Sequence, residues 1–333
     1  MLAHELNNLA SIYEAQGKAK DAITVLEHAL TVAASMPEPN DSSIGEMENS
    51  LALYCAGEGH AAEAEAHFAR AAIAFEKAGD SNAASAAEAL QNLASLYFDL
   101  RRYPEAAGAA LRSLSLLTAS PVFDPRAIFD GLNTLAAAYY MLGRFRDAER
   151  LLLHSRVIAH ENFQASDPGL SQATAKLAAI YEAEGHSFDA IVMFSRALKA
   201  GEIALGPEHP WAGIIAIRLA VIYAGKGALA EAEPLFKRAI EIGERSPGQD
   251  GQLLAAALFN LAVLYTRQSR LEEAEALLKR SLDIRHRVYG PTHPAFIEAE
   301  NALSAVQAAL RLLNGQVSEK IHIVSTVQKD EAR

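Results

Sequence analysis

LNNLASIY, residues 6–13, returns along the chain as LQNLASLY (90–97), LNTLAAAY (132–139), ATAKLAAIY (173–181), AIRLAVIY (216–223) and LFNLAVLY (258–265). The recurring leucines are Leu9, Leu51, Leu93, Leu135, Leu177, Leu219, Leu261 and Leu303, 42 residues apart without an insertion or deletion. Such register marks a tandem repeat, in which each unit buries its apolar face against its neighbours and the array grows in one dimension. The repeat therefore overrides the division into two domains that a length of 333 residues suggests.

Each repeat carries two apolar stripes at helical spacing. Leu90, Leu93, Ala94, Tyr97 and Leu100 share one helical face, and a second helix begins near Glu105 and Ala106. The unit is a helical hairpin of a helix A and a helix B. Gly17, Gly59, Gly143, Gly185 and Gly227 mark the turn inside it, where a left-handed backbone is needed. Arg101 and Ser269 replace glycine in two repeats, which predicts strain there. Alanines recur in both helices (Ala10 to Ala262 in helix A, Ala22 to Ala274 in helix B) and allow close approach of the backbones. Pro125, Pro168, Pro210 and Pro294 stand where helices A begin, with Asp124 and Asp167 as caps, and Pro234 predicts a mild kink in a helix B. The expected hairpins cover about residues 1–36, 42–79, 82–119, 125–164, 168–205, 210–246 and 250–289. A capping helix at 294–313 stops at Asn314 and Gly315, and a disordered tail, 314–333, contains the β-prone IHIVSTV (321–327). Met1 falls inside the first repeat with no cap before Leu2, so the alternatives are a ragged first helix or a missing upstream portion.

Composition narrows the function classes. Thirty basic against 41 acidic residues give a net charge of −11, which argues against nucleic acid and anionic membrane surfaces as partners. The excess is uneven: residues 1–166 hold 12 basic and 21 acidic groups, residues 167–333 hold 18 and 20. Cys55 is the single cysteine, so there is no internal disulfide and no cysteine metal cluster, and a reducing cytoplasmic setting is expected. No signal peptide and no membrane-spanning run is visible.

The order Leu-Ala-x-x-Tyr, then Gly, Ala and a large apolar residue (Leu26, Phe68, Leu152, Phe194, Phe236, Leu278) resembles the tetratricopeptide repeat. The 42-residue length, the linkers LGPEHP (205–210) and YGPTHP (289–294), and EAEPLFKRAIEI (231–242) are similar to the kinesin-light-chain type. HEAT and armadillo repeats have a comparable period but lack this signature. The resemblance covers residues 1 to about 313. It implies an all-α, right-handed superhelical solenoid of helical hairpins, with helices A lining a concave face that binds an extended or helical peptide. In the kinesin-light-chain type the asparagine before the recurring leucine bonds the ligand backbone. That place is held here by Asn8, Asn92 and Asn260, and elsewhere by Ser50, Thr134 (next to Asn133), Lys176 and Arg218.

An asparagine amide both donates and accepts, as an unpaired peptide backbone requires, but the same amides also suit bonds across the helix stack. Lys176 and Arg218, one repeat apart, suit an acidic side chain or a terminal carboxylate of the ligand. Glu182 and Glu208 are alternative partners within the chain. His209 and His293 belong to the linkers, where capping is the simpler role than a metal. Trp211 is read as packing on the preceding helix, with ligand anchoring as the alternative. No phosphate loop, nucleophile elbow or paired zinc-ligand motif is present. The candidate ligand-binding set is therefore Asn8, Asn92, Asn133, Lys176, Arg218, Phe259 and Asn260. No catalytic or metal residue and no cofactor is expected.

The helix A faces differ along the chain. Asn7, Asn8, Ser11, Glu14, Glu46, Asn49, Ser50, Glu88, Gln91 and Asn92 make the early face polar and acidic, whereas Ile217, Val221, Phe259 and Val263 beside Lys176 and Arg218 make the later face apolar with two cations. The expected function is a non-enzymatic scaffold that binds a protein or peptide with apolar and acidic side chains. The alternative is a sensor or adaptor module of a larger signalling protein.

Overall fold

The computed structural model describes residues 2–37, 39–164, 166–245 and 251–331, with side chains placed in these spans except at 2–4, 14 and 314–331. The side chain of Glu14, the linker residues 246–250 and the last two residues of the tail lie outside the described set.

Among the described residues there are fifteen α-helices, one 3₁₀ turn (Asp80–Asn82) and no strand. They are α1 (Leu2–Ala15), α2 (Ala19–Ala34), α3 (Asp41–Gly57), α4 (Ala61–Lys77), α5 (Ala83–Asp99), α6 (Tyr103–Ala119), α7 (Pro125–Met141) and α8 (Phe145–Asn162), then α9 (Pro168–Ala183), α10 (Ser187–Leu205), α11 (Pro210–Gly225), α12 (Leu229–Arg245), α13 (Gln252–Arg267), α14 (Leu271–Tyr289) and α15 (Pro294–Glu331). The chain divides into two compact units, Met1–Gln164 and Ala165–Arg333. The first holds four hairpins, α1–α2 to α7–α8; the second holds three, α9–α10 to α13–α14, with α15 packed on α14. Within each unit every helix B also packs on the next helix A.

The 42-residue period is written in the core. Leu51, Leu93, Leu135, Leu177, Leu219 and Leu261 are all buried, and the recurring alanines of both helices are sealed. An alanine has no side chain beyond Cβ, so helices A and B close up at these points and the leucine and the phenylalanines (Phe68, Phe194, Phe236) fill the space beside them.

The turn inside each hairpin closes with the Schellman bond that a left-handed residue permits: the N–H of Arg102 donates to the Tyr97 carbonyl at 2.8 Å and that of His186 to Tyr181 at 2.8 Å. Gly59 and Gly185 have φ of 82° and 80°. Arg101 (φ 58°) and Ser269 (φ 61°) take the same conformation with a Cβ, the strain expected at these two positions, which costs about 1–2 kcal/mol each. The helix starts also follow the sequence: Asp124 Oδ1 accepts from the N–H of Arg126 (2.9 Å) and Ala127 (3.0 Å), and His209 and His293 cap α11 and α15 through Nδ1. Pro234 lies inside α12 without ending it.

At two repeats the recurring tyrosine ties one hairpin to the next through a glutamate. Tyr97 on α5 donates to Glu65 on α4 (2.9 Å), Arg102 binds the same carboxylate (2.6 Å), and its guanidinium lies 4.4 Å from the Tyr97 ring centroid. Four repeats later Tyr265, Glu233 and Arg270 make the same set. In α15 Gln307 stands in the tyrosine place and keeps the bond, donating to Glu275 at 2.9 Å. Helices B are laced in parallel by Arg112–Glu76, Arg238–Glu202 and Arg280–Glu244, each 2.7 Å. The hydrogen bond from Arg102 is the largest effect on Glu65 and, helped by the weaker one from Tyr97, lowers its pKa below the ordinary 4.5 by favouring the charged form, against a desolvation effect second in size to that of Arg102. A depressed carboxylate pKa stabilises the fold fully above the unfolded value, and the contribution is lost as pH falls through the folded value. Glu65→Gln is therefore expected to flatten the loss of stability below about pH 4.5 in acid unfolding followed by circular dichroism. An unchanged acid limb would remove this role from Glu65.

One expectation is corrected. The helix that begins at Pro294 does not stop at Asn314 and Gly315 but runs to Glu331, taking the β-prone 321–327 with it. A single interior glycine costs a helix only about 1 kcal/mol against alanine. The β preference of Ile and Val reflects packing on a pleated surface, and no strand exists among the described residues to supply one.

Candidate functional site

The exposed stripe of a helix A lies opposite its leucine and alanine. On α11 this stripe carries Ile214 (50 % exposed), Arg218 and Val221 (39 %); on α13, in equivalent places, it carries Ala256, Asn260 and Val263 (40 %). Residues four and seven apart share a helix face. The second unit thus presents branched aliphatic side chains to solvent at successive repeats, with Ile217 and Phe259 half-buried beside them and packed on the core.

The polar candidates fall into different environments. Arg218 Nη2 donates to Glu182 Oε2 at 2.6 Å, the first of the two internal partners that the sequence offers, while Glu208 pairs with Arg245. Arg218 also lies 5.6 Å from the Phe194 ring centroid. Lys176 is exposed on α9. Asn260 donates to the Ala256 carbonyl of its own helix (2.8 Å), which leaves its amide oxygen. Asn8 is exposed on α1. Asn92 bonds across the stack, donating to Asn49 Oδ1 at 3.4 Å.

Asn133 is not a surface residue. It is buried, and its amide donates to the Phe129 carbonyl (2.8 Å) and to Ser155 Oγ on α8 (2.6 Å). Its neighbour Thr134 takes the exposed side, because one residue along a helix turns the side chain by about 100°. Trp211 packs into the core beside α10, over Gly201.

Sequence reasoning missed Arg285. It is 6 % exposed, its guanidinium lies 4.3 Å from the Phe259 ring centroid, and it binds Glu298 (3.1 Å) and the Ala295 carbonyl. A buried cation is supportable only when paired and hydrogen-bonded in this way. The signal was its column: the three preceding equivalent places hold Ala159, Gly201 and Gly243, all small, and the earlier ones Ala33, Phe75 and Leu117 are apolar, so no other repeat carries a charge there. Phe259 is consequently covered on one face by a cation.

No group of three metal-ligating side chains is present among the described residues, and no helix there is long and apolar enough to cross a membrane.

Family models described as tetratricopeptide repeat match residues 5–39, 130–168, 170–245 and 254–295, together more than half of the chain. No curated protein matches the sequence. Among solved structures, BtubC (BKLC) from P. vanneervenii is 21 % identical, with a TM-score of 0.60 over 69 % of this chain and 92 % of that one. A tetratricopeptide repeat protein from Parabacteroides merdae is 15 % identical, with a TM-score of 0.60 over 92 % and 98 %. A signal transduction ATPase with numerous domains and a tetratricopeptide repeat sensor, from Pyrococcus horikoshii, is 17 % identical, with a TM-score of 0.66 over 84 % of this chain and 41 % of that one. At these identities the likeness is one of fold.

Proposed function

The chain belongs to the tetratricopeptide-repeat family, and on that premise we propose that it is a non-enzymatic scaffold of the cytoplasm that binds a protein or peptide on the helix A face of its second unit. The observation that carries this reading is the solvent-facing aliphatic stripe of Ile214, Val221 and Val263 on neighbouring helices A. Apolar ligand side chains laid there gain roughly 25 cal/mol per Å² removed from water, less ordering costs. Lys176 and Arg218, on exchange of their contacts within the chain (Glu182 for Arg218) for a ligand carboxylate, set orientation, so the polar part of the affinity weakens with salt.

Selection from a random peptide display library tests it. Enriched peptides are expected to combine apolar anchors with an acidic residue, and Val221→Asp with Val263→Asp is expected to weaken the best of them at least tenfold with the helical signal intact. These two positions are better probes than Phe259, whose contact with Arg285 ties it to stability. Peptides without apolar anchors, or a folded double variant that binds unchanged, would overturn the assignment.

A second reading, a sensor or adaptor module of a larger signalling protein, draws on the Pyrococcus ATPase, of which the matched repeats form 41 % of the chain. The mass of the native gene product tests it: a product of 35.7 kDa would count against it.

A further inference from the structure

The first unit carries a different face. Glu46 on α3, Glu88 on α5 and Asp130 on α7 stand 42 residues apart and are all exposed. The equivalent residues of the second unit are Gln172, Ile214 and Ala256. One turn further along, the same three helices are joined side by side: Asn92 donates to Asn49, and Gln91 Nε2 donates to Thr134 Oγ1 at 2.6 Å. Thr134 has one hydroxyl proton and gives it to the Asp130 carbonyl (3.1 Å), so its oxygen accepts from Gln91 and the rung has a fixed direction. The three carboxylates therefore form a row across adjacent helices. Neither Glu46 nor Glu88 is engaged in an ion pair or side-chain hydrogen bond among the described residues.

Between α5, the end of α6 and the start of α7 this row opens into a cavity of about 310 Å³. Its charged lining is Glu88, Asp124, Asp130 and Arg126, three carboxylates against one guanidinium. The Arg126 guanidinium lies 4.0 Å from the Phe163 ring centroid and 5.8 Å from that of Phe129. The apolar part of the lining includes Ala87 and Leu117. A volume at the small end of ligand pockets admits one long side chain rather than a cofactor. Apolar walls suit a methylene stem, and ionised carboxylates accept hydrogen bonds only, so the entering head must donate and carry positive charge.

We propose that the helix A face of the first unit binds a basic peptide segment, with one arginine in the cavity between α5 and α7 and another cation on Glu46. Arginine is favoured over lysine because its planar fork donates to two carboxylates at once. The spacing follows from the fold. Directly packed helices lie roughly 8–10 Å apart, and a polyproline-type strand returns to the same side every three residues with a rise of about 3.1 Å each. The segment therefore carries arginine at every third position. Like the reading of the second unit, this rests on helices A forming the binding face, but it names a separate site of opposite charge preference.

The test uses the full chain and a labelled, end-capped (Arg-Pro-Pro)₃ peptide, followed by fluorescence anisotropy at physiological salt. Saturable binding is expected. Glu46→Gln with Glu88→Gln is expected to weaken it at least tenfold, whereas Asp99→Asn with Glu161→Gln, an equal change of charge at other exposed sites, should alter it less than twofold. A peptide of the same composition with its three arginines adjacent should bind less tightly. Circular dichroism checks that every variant remains helical. Equal losses in the two double variants would reduce the effect to net charge and overturn the site. So would absence of saturable binding, or preference for (Glu-Pro-Pro)₃. Val221→Asp with Val263→Asp should leave this binding intact, so failure of either site is told apart from failure of the other.

Discussion

Leu177→Ala is expected to lower the unfolding free energy by about 2–5 kcal/mol, through the lost transfer energy of the side chain and the cavity left behind. Leu177 is 0 % exposed, so none of its surface is available for water to refill. Leu303, the same residue of the repeat, sits on α15 and is only partly buried. Leu303→Ala should therefore cost less, because part of the cavity opens to solvent. Urea unfolding of the two variants measures the difference. A larger loss at Leu303 would show that the core does not follow the 42-residue column.

The second large effect is expected at Gly201. A Cβ built there lies 2.1 Å from Cζ3 of Trp211, closer than any non-bonded carbon pair tolerates. The indole must leave its seat on α10, and Gly201→Ala should cost about 1–3 kcal/mol by overpacking. With Trp211→Ala in the background the clash is gone. The same substitution then brings only the helix preference of alanine over glycine, a gain of up to about 1 kcal/mol. The sign of the Gly201→Ala effect should thus reverse between the two backgrounds in a double-mutant cycle. Additive effects would mean that the glycine is not shaped to the tryptophan.

These two sites show what was readable beforehand. The leucine column, the glycine turns and the proline starts are legible because each reports a local requirement: a helical face, a left-handed residue, a missing N–H. Gly201 and Trp211 are ten residues apart and were not linked, because their fit depends on how α10 and α11 cross. The asparagines show the same limit. Asn92, Asn133 and Asn260 are chemically identical, yet one bonds the neighbouring helix A, one is buried against α8, and one turns back on its own helix. Which it does depends on rotations of about 100° and on partners in other helices. Glu48 gave no warning either: it is buried on α3, held by His67 at 2.5 Å and Arg70 at 2.9 Å. Of the exposed aliphatic stripe of the second unit, Val221 and Val263 were foreseen because they interrupt a polar column; Ile214 was not, and Ile217 and Phe259 are half-buried on the core. The helical continuation to Glu331 was not, because local glycine and β preferences pointed the other way.

The lacing between hairpins has a consequence for how such a chain is made and changed. The tyrosine bonds span 32 residues, the arginine bonds between helices B span 36, and the helix A rungs span 43. Each closes a loop of about one repeat, so the entropy of closure is nearly the same at every step and does not grow with the length of the array. Contacts this local favour rapid folding that starts at any hairpin and spreads to its neighbours. An in-frame duplication or loss of 42 residues would keep every column in register, so the bond is remade wherever a glutamate holds the acceptor place, as Gln307 shows by meeting Glu275 in place of a tyrosine. The number of hairpins is then open to genetic change in whole steps, while the surface of each remains free to diverge.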